Sequence, residues 1–360
     1  MITYLIPKAL SEKVLMIGVC WKNHAPGGIS SVVNTYAENF ETMNYIVTAA
    51  SRDESKVKKL LMAITGFCLF YWQMLSNRKI QIVHVQGSHG ASFDRKKMFV
   101  KIAKRFNKKV VWHMHASQFV PFYEGRQDKE DIVRHLNMAD TLIVLSKYYQ
   151  DFYTKIGVDP SKIVILNNLV PKPVFNAEKI YTDNRLHLLF LGEISKRKGA
   201  FDIVQAMSEW PELTDKVEIR IGGNGETERL KTAIKEAQLE HCVKFEGWVG
   251  GEKKIHLLNW ADVYILPSFN EGLPISILEA LSYNCPIIST PVGGIPEVVT
   301  EDNGILVEPG NTKQIAEAIH NYVEHPEIVK SHGAISGEIV KLYYPEAVFS
   351  RLKDIYNKLL

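Results

Sequence analysis

Runs of consecutive apolar, largely β-branched residues recur through the first half of the chain: KVLMIGV, YIVTAA, IQIVHVQ, KVVWHMHA, TLIVLS and IVILNN. Segments with helical periodicity separate most of them. A strand with one wet face alternates apolar and polar residues, so unbroken runs predict parallel strands covered on both faces and joined by helical crossovers. The pattern lapses around residues 171–185, where prolines and weak periodicity predict a linker. It restarts with LHLLFLG, KVEIRIGG, VKFEGWV, DVYILPS, PIISTPV and GILVEP. The expected architecture is therefore α/β, with two Rossmann-like domains, 1–170 and 186–344, facing a central cleft. One helix-length segment stands apart: LLMAITGFCLFYWQML, residues 60–75, is almost free of charge. A membrane span needs roughly 20 such residues. The first reading is a buried helix packed on a sheet, the second a helix lying partly in a bilayer surface, and the last a true span.

Composition changes this picture little. A chain of 360 residues with 46% hydrophobic content can bury two ordinary cores. Its 43 Lys and Arg against 40 Asp and Glu leave a charge of +3, too balanced to suggest a nucleic-acid partner. Cys20, Cys68, Cys242 and Cys285 form no CxxC or zinc spacing, and no Asn-x-Ser/Thr sequon occurs. The opening residues, MITYLIPKALSEKVLMIGVC, lack the regions of a signal peptide. A reducing, cytoplasmic location is expected, with a peripheral place on the inner face of the cell membrane if residues 60–75 touch lipid.

Doubly wound sheets bind ligands beyond the carboxyl ends of their strands, and several polar motifs fall there. APGGISS follows the first strand, and Gly27 and Gly28 would let backbone approach an anion or sugar, or would simply make a tight turn. In VVWHMHAS, His113 and His115 share a strand face with His115 at the carboxyl end. Ligand contact by His115, structural histidines and a metal pair all remain open, although no HExxH or third nearby ligand is visible. Lys196, Arg197 and Lys198 crowd a strand-to-helix turn, either as a solvated face or as a phosphate site. IGGNGE, 221–226, is another glycine turn that a plain corner explains equally well.

SFNEGLPISILEA, 268–280, carries the sharpest signal, because Glu271 and Glu279 lie eight apart rather than the three or four of a helical salt bridge. With Pro274 at the first helical position, Gly272 and Leu273 would form a turn offering amides to phosphate. Glu279, inside the helix, would then bond vicinal hydroxyls such as those of a ribose. No Asp-x-Asp occurs, so no acidic metal site is suggested.

Together these residues resemble glycosyltransferase family 4, retaining enzymes of the GT-B fold: PGG after the first strand, His115, Lys198-Gly199, EGLP with the Glu271 and Glu279 pair, TPVGGIPEVV and NGILVEPG. The resemblance implies that Glu271 contacts the donor sugar, Glu279 the ribose, and His115 the sugar and phosphate region. It also implies that the helix over 345–360 crosses back onto the first domain. Many relatives carry arginine after the glycine where this chain has Glu193, which leaves diphosphate neutralisation to Lys198 and Arg197. By the same resemblance the base lies near Val249 to Gly251. With no carboxylate at Gly250 or Gly251 to read guanine, a UDP-sugar is favoured over a GDP-sugar as co-substrate, without another cofactor.

The implied reaction moves a sugar to a hydroxyl of a glycan or lipid-linked oligosaccharide, with retention, in bacterial surface-polysaccharide synthesis. Peripheral contact with an anionic membrane is expected through 60–75 and the basic stretch 95–109, or else that stretch is a solvated helix face. Rival readings are a nucleotide-sugar epimerase of the same fold and a non-catalytic two-domain sugar-binding protein.

Overall fold

The computed structural model describes residues 4–19, 28–49, 55–115, 117–173 and 184–360. Strands β1 Val14–Val19, β2 Asn44–Ala49, β3 Ile82–Gly87, β4 Lys109–Met114, β5 Thr141–Val144 and β6 Ile163–Ile165 form one sheet in the order β2-β1-β3-β4-β5-β6. A second sheet holds β7 Leu186–Leu191, β8 Val217–Gly222, β9 Val243–Gly247, β10 Val263–Leu266, β11 Ile287–Ser289 and β12 Gly304–Leu306, in the order β9-β8-β7-β10-β11-β12. Each named pairing is parallel, and each strand falls on one of the apolar runs. The sequence divides into two compact units, Met1–Leu169 with Pro345–Leu360, and Val170–Tyr344. Most of the expected linker, 174–183, lies outside the described residues.

The order of the second sheet is the Rossmann order, in which the winding direction reverses between the first and fourth strands, here β7 and β10. Side chains that follow those two strands are thereby brought together. In the first sheet the reversal falls between β1 and β3.

The first unit's core is aromatic. Trp112 stacks on Phe93 with ring centroids 5.0 Å apart, and Phe119 closes on Phe93 at 5.4 Å. The Pro345–Leu359 helix supplies the other side, where Phe349 meets Tyr36 at 5.1 Å and Tyr356 Oη lies 2.5 Å from His84 Nδ1. These contacts place the last described helix in the unit that contains the first strand.

Two helices differ from expectation. The Lys56–Ser76 helix is packed on only one stripe: a Cβ at Gly66 would stand 2.7 Å from Val47 O, and Phe70 and Met74 are buried. Its other face leaves Leu61, Ile64, Trp72 and Leu75 more than half exposed, so it is not a helix buried all round. In the Ala91–Arg105 helix, Lys96 is 1% exposed, because it lies three residues after Phe93 and three before Phe99, on the apolar stripe. Lys97 pairs with Asp94 at 3.1 Å and Asp131 at 3.0 Å, and Lys104 with Asp140 at 2.8 Å. The basic face expected over 95–109 therefore narrows, within this helix, to exposed Lys101 and Arg105, which make no ion pair among the described residues.

Candidate active site

In the second unit the turn after β7 and the loop after β10 are stitched together by backbone. Phe269 N donates to Arg197 O at 2.8 Å, and Arg197 Nη1 donates to Asn270 O at 3.2 Å. Gly199, at φ 74°, ends the Lys196–Lys198 turn so close to β10 that a Cβ would lie 2.2 Å from Pro267 O. This seam brings Lys198 and Glu271 into contact although they are 73 positions apart. Lys198 Nζ meets Glu271 Oε1, and Ser268 Oγ donates to the same oxygen at 2.8 Å. Ser268 is held in turn by Thr290 Oγ1, which donates to its carbonyl at 2.6 Å.

Glu271 is 6% exposed, so its charge is stabilised by these donors rather than by water. Gly293 backs the loop: its φ is 59°, and a Cβ there would stand 2.1 Å from Glu271 O. Gly294 N donates to Gly272 O at 2.6 Å. The TPVGGIP stretch is thus a brace beneath the glutamate.

Pro274 is not the first helical residue. Its ψ of 124° is extended, so it caps the Ile275–Ser282 helix from outside while its carbonyl accepts from Leu278 N at 3.3 Å. Gly272 and Leu273 are buried before it. Glu279 falls in the second turn and is held by Lys254 Nζ at 2.5 Å, a lysine on the Gly251–Trp260 helix. Each acid of the pair therefore has its own lysine. Arg197 is occupied as well, by Glu193 at 2.8 Å.

Val249 sits over the end of β8, where a Cβ on Gly222 would come 2.6 Å from its Cγ2. Beside it Trp248 is more than half exposed and packs against Gly250, a feature that spacing alone did not single out. The 221–226 turn is tied to the turn after β7, since Ile194 N donates to Asn224 O at 2.6 Å and Glu226 N to Ile194 O at 2.8 Å.

In the first unit His115 follows β4 directly, with its ring 4.0 Å from that of His113. Gln86 Oε1 lies 2.5 Å from His115 Nε2, while Gln86 Nε2 turns toward Met16 Sδ at 3.2 Å. A carbonyl oxygen only accepts, so this orientation puts the imidazole proton on Nε2. A donor role toward a ligand then requires exchange of the Gln86 bond. Burial, followed by the charge of nearby Lys96, lowers the His115 pKa to about 3, so the ring is neutral near pH 7. His84 is likewise pushed down to about 3, chiefly by burial, and His113 is driven in the same direction. Lys96 itself is lowered to about 7 by burial and by Arg95, and its ammonium donates to Ser92 Oγ at 3.0 Å.

Among the described residues no three His, Cys, Asp or Glu side chains gather as a metal-binding group. Gly28 opens the Gly28–Asn39 helix, whereas Gly27 lies outside the described residues. The partners that sequence did not reveal, Ser268, Thr290, Lys254 and Gln86, are remote from their acids and histidine or lack any motif of their own.

Both halves of the chain match known protein families. The model for glycosyl transferases group 1 matches residues 175–335, and that for Glycosyltransferase Family 4 matches residues 26–172. Together the two models make the chain a glycosyltransferase of the family 4 type. An uncharacterized glycosyltransferase of Methanocaldococcus jannaschii is 28% identical over 284 residues, 76% of this chain and 66% of that protein. The alpha-galactosylglucosyldiacylglycerol synthase of Streptococcus pneumoniae is 27% identical over 68% of each chain. The amylovoran biosynthesis glycosyltransferase of Erwinia amylovora is 27% identical over 53% of this chain, which spans 49% of that relative. These three relatives are thus matched over about half to two thirds of their length. Among solved structures, Anabaena HepE in complex with UDP and glucose superposes with a TM-score of 0.74, covering 97% of this chain and 100% of that one at 16% identity. At that identity the likeness establishes the fold, the GT-B type with two α/β units.

Proposed function

We propose that this glycosyltransferase moves a sugar from a nucleoside diphosphate donor, with UDP favoured, to a hydroxyl of a glycan or lipid-linked oligosaccharide, with retention at the anomeric carbon. The observation that carries the donor reading is the Lys198–Glu271 contact at the reversal point of the second sheet, beside Arg197 and one short helix from Glu279. As the glycosidic C–O bond lengthens, positive charge spreads over the sugar ring and negative charge grows on the departing diphosphate. Lys198 and Arg197 are suited to that anion, each charged hydrogen bond contributing about 1.5–3 kcal/mol. Ligand phosphate would compete for the ammonium that Glu271 now holds, and would release the carboxylate to orient the donor sugar. Glu279 is suited to a ribose diol, again by exchange of its lysine. We assign the acceptor to the first unit, where His115 would contact a sugar hydroxyl or phosphate oxygen.

Several observations favour a UDP-sugar and bacterial surface-polysaccharide or glycolipid synthesis. They are the lack of a carboxylate at Gly250 and Gly251, the UDP found with HepE, and the named activities of the Erwinia and Streptococcus relatives. We further propose a cytoplasmic reaction that needs no metal and, by family resemblance, attack from the leaving-group face with the departing phosphate accepting the acceptor proton. Calorimetric titration with UDP, GDP and their sugars tests the donor. Incubation of a radiolabelled donor with a glycan acceptor, followed by NMR of the product anomeric proton, tests the reaction. Tighter GDP binding overturns the UDP assignment, an inverted product overturns retention, and release of an isomerised nucleotide sugar or free sugar with no glycoside formed overturns transfer.

A further inference from the structure

Among the described residues of the first unit, no element covers the outward face of the Lys56–Ser76 helix. Val57, Leu61, Ile64, Cys68, Trp72 and Leu75 recur on it at spacings of three and four, so they form one stripe along the helix, and all are exposed. The opposite stripe is fixed in the core by Gly66, Phe70 and Met74. A helix held in this way cannot cross a bilayer without opening the unit, although it is long and apolar enough by composition. It can lie flat.

Charge selects the partner. The helix contains no Asp or Glu, exposed Lys58 and Arg78 flank its two ends, and the neighbouring Ala91–Arg105 helix, joined through the Phe70–Phe99 ring contact at 5.0 Å, adds exposed Met98, Lys101 and Arg105. A second copy docked by a two-fold axis would bring cationic ends together whether the helices ran parallel or antiparallel. An anionic lipid surface meets both requirements: it takes up the apolar stripe with Trp72 at headgroup depth, and it attracts the flanking cations. We propose that this face seats the protein in the plane of an anionic membrane, with the Lys56–Ser76 helix half-sunk and not spanning.

The face belongs to the first unit and the donor residues to the second, so loss of vesicle binding and loss of nucleotide binding are separable. Sedimentation of the full chain with phosphatidylcholine vesicles, and with equimolar phosphatidylcholine and phosphatidylglycerol, tests the proposal. The parent should bind the anionic vesicles at low salt and be released by an alkaline carbonate wash. Leu61→Glu with Trp72→Glu should abolish binding while UDP affinity and melting temperature stay unchanged, since both positions are exposed. Lys101→Gln with Arg105→Gln should weaken binding roughly thirtyfold, the effect of two cations at such a surface. Four results would overturn it: no binding by the parent, undiminished binding by the Leu61 and Trp72 variant, retention after carbonate, or a vesicle-free dimer in sedimentation velocity that Trp72→Glu dissolves.

Discussion

Lys96 shows how a single buried charge makes folding depend on pH. Its ordinary pKa of 10.5 falls to about 7 in the folded chain because burial disfavours the ammonium and Arg95 adds repulsion. Between those values the unfolded chain binds more protons, so this residue makes stability rise with pH from about 7 to about 10.5 and imposes a full penalty below 7. Lys96→Met should raise the melting temperature at pH 7 by roughly 4–8 °C, equivalent to about 2 kcal/mol, and flatten that rise. A pH series of thermal scans on both proteins checks it. His84 and His115 act with the same sign in acid: they cost nothing above pH 6.5, and their penalty grows as pH falls toward about 3. Lys198 is the converse case, a cation whose loss would strand a carboxylate. Lys198→Ala should cost about 3–5 kcal/mol by removing the cation that balances buried Glu271. Lys198→Ala with Glu271→Gln should recover most of that stability in urea titrations while remaining unable to transfer sugar.

At the scale of elements, the strands were legible because parallel strands covered on both faces need short unbroken apolar runs, whereas the one much longer run, 60–75, lies in a helix. The position of Lys96 was misread: Phe93, Lys96, Phe99, Val100 and Ala103 follow helical spacing, but the basic residues around Lys96 disguised it as part of a basic face. The outward face of the Lys56–Ser76 helix was not legible, since an all-apolar helix gives the same composition whether one side or both are covered. The acids at 271 and 279 announced themselves by their loop, but their lysines did not. Lys254 reaches Glu279 only because the Gly251–Trp260 helix packs beside the Ile275–Ser282 helix, and local spacing does not encode that placement. The glycines of TPVGGIP are informative at this level. Gly293→Ala would force a side chain into left-handed backbone and into Glu271 O, which should cost at least about 1–2 kcal/mol from the conformation alone. UDP-sugar affinity should drop with it, by calorimetry, while Gly310→Ala, also at positive φ but against the rim of the Phe269 ring, should spare binding.

For the molecule as a whole, the two sheets repeat one pattern with different purposes: the second gathers charged side chains at its reversal, and the first gathers neutral histidines and an aromatic core. Phe349 anchors the final described helix against Tyr36 and Phe40, and it is 1% exposed. Phe349→Ala should cost about 3–5 kcal/mol. Hydrogen exchange should place the damage in β1 to β4 and leave β7 to β12 protected. His84 and Tyr356, bonded across 272 positions, have a consequence for biosynthesis. Emerging from the ribosome, the leading half must wait, its sheet incompletely clad, until nearly two hundred later residues have been translated, whereas the trailing half can close on itself first. A nascent chain of this design should call on chaperones early, and stalling translation just before Pro345 should leave the leading half open to protease while the trailing half resists.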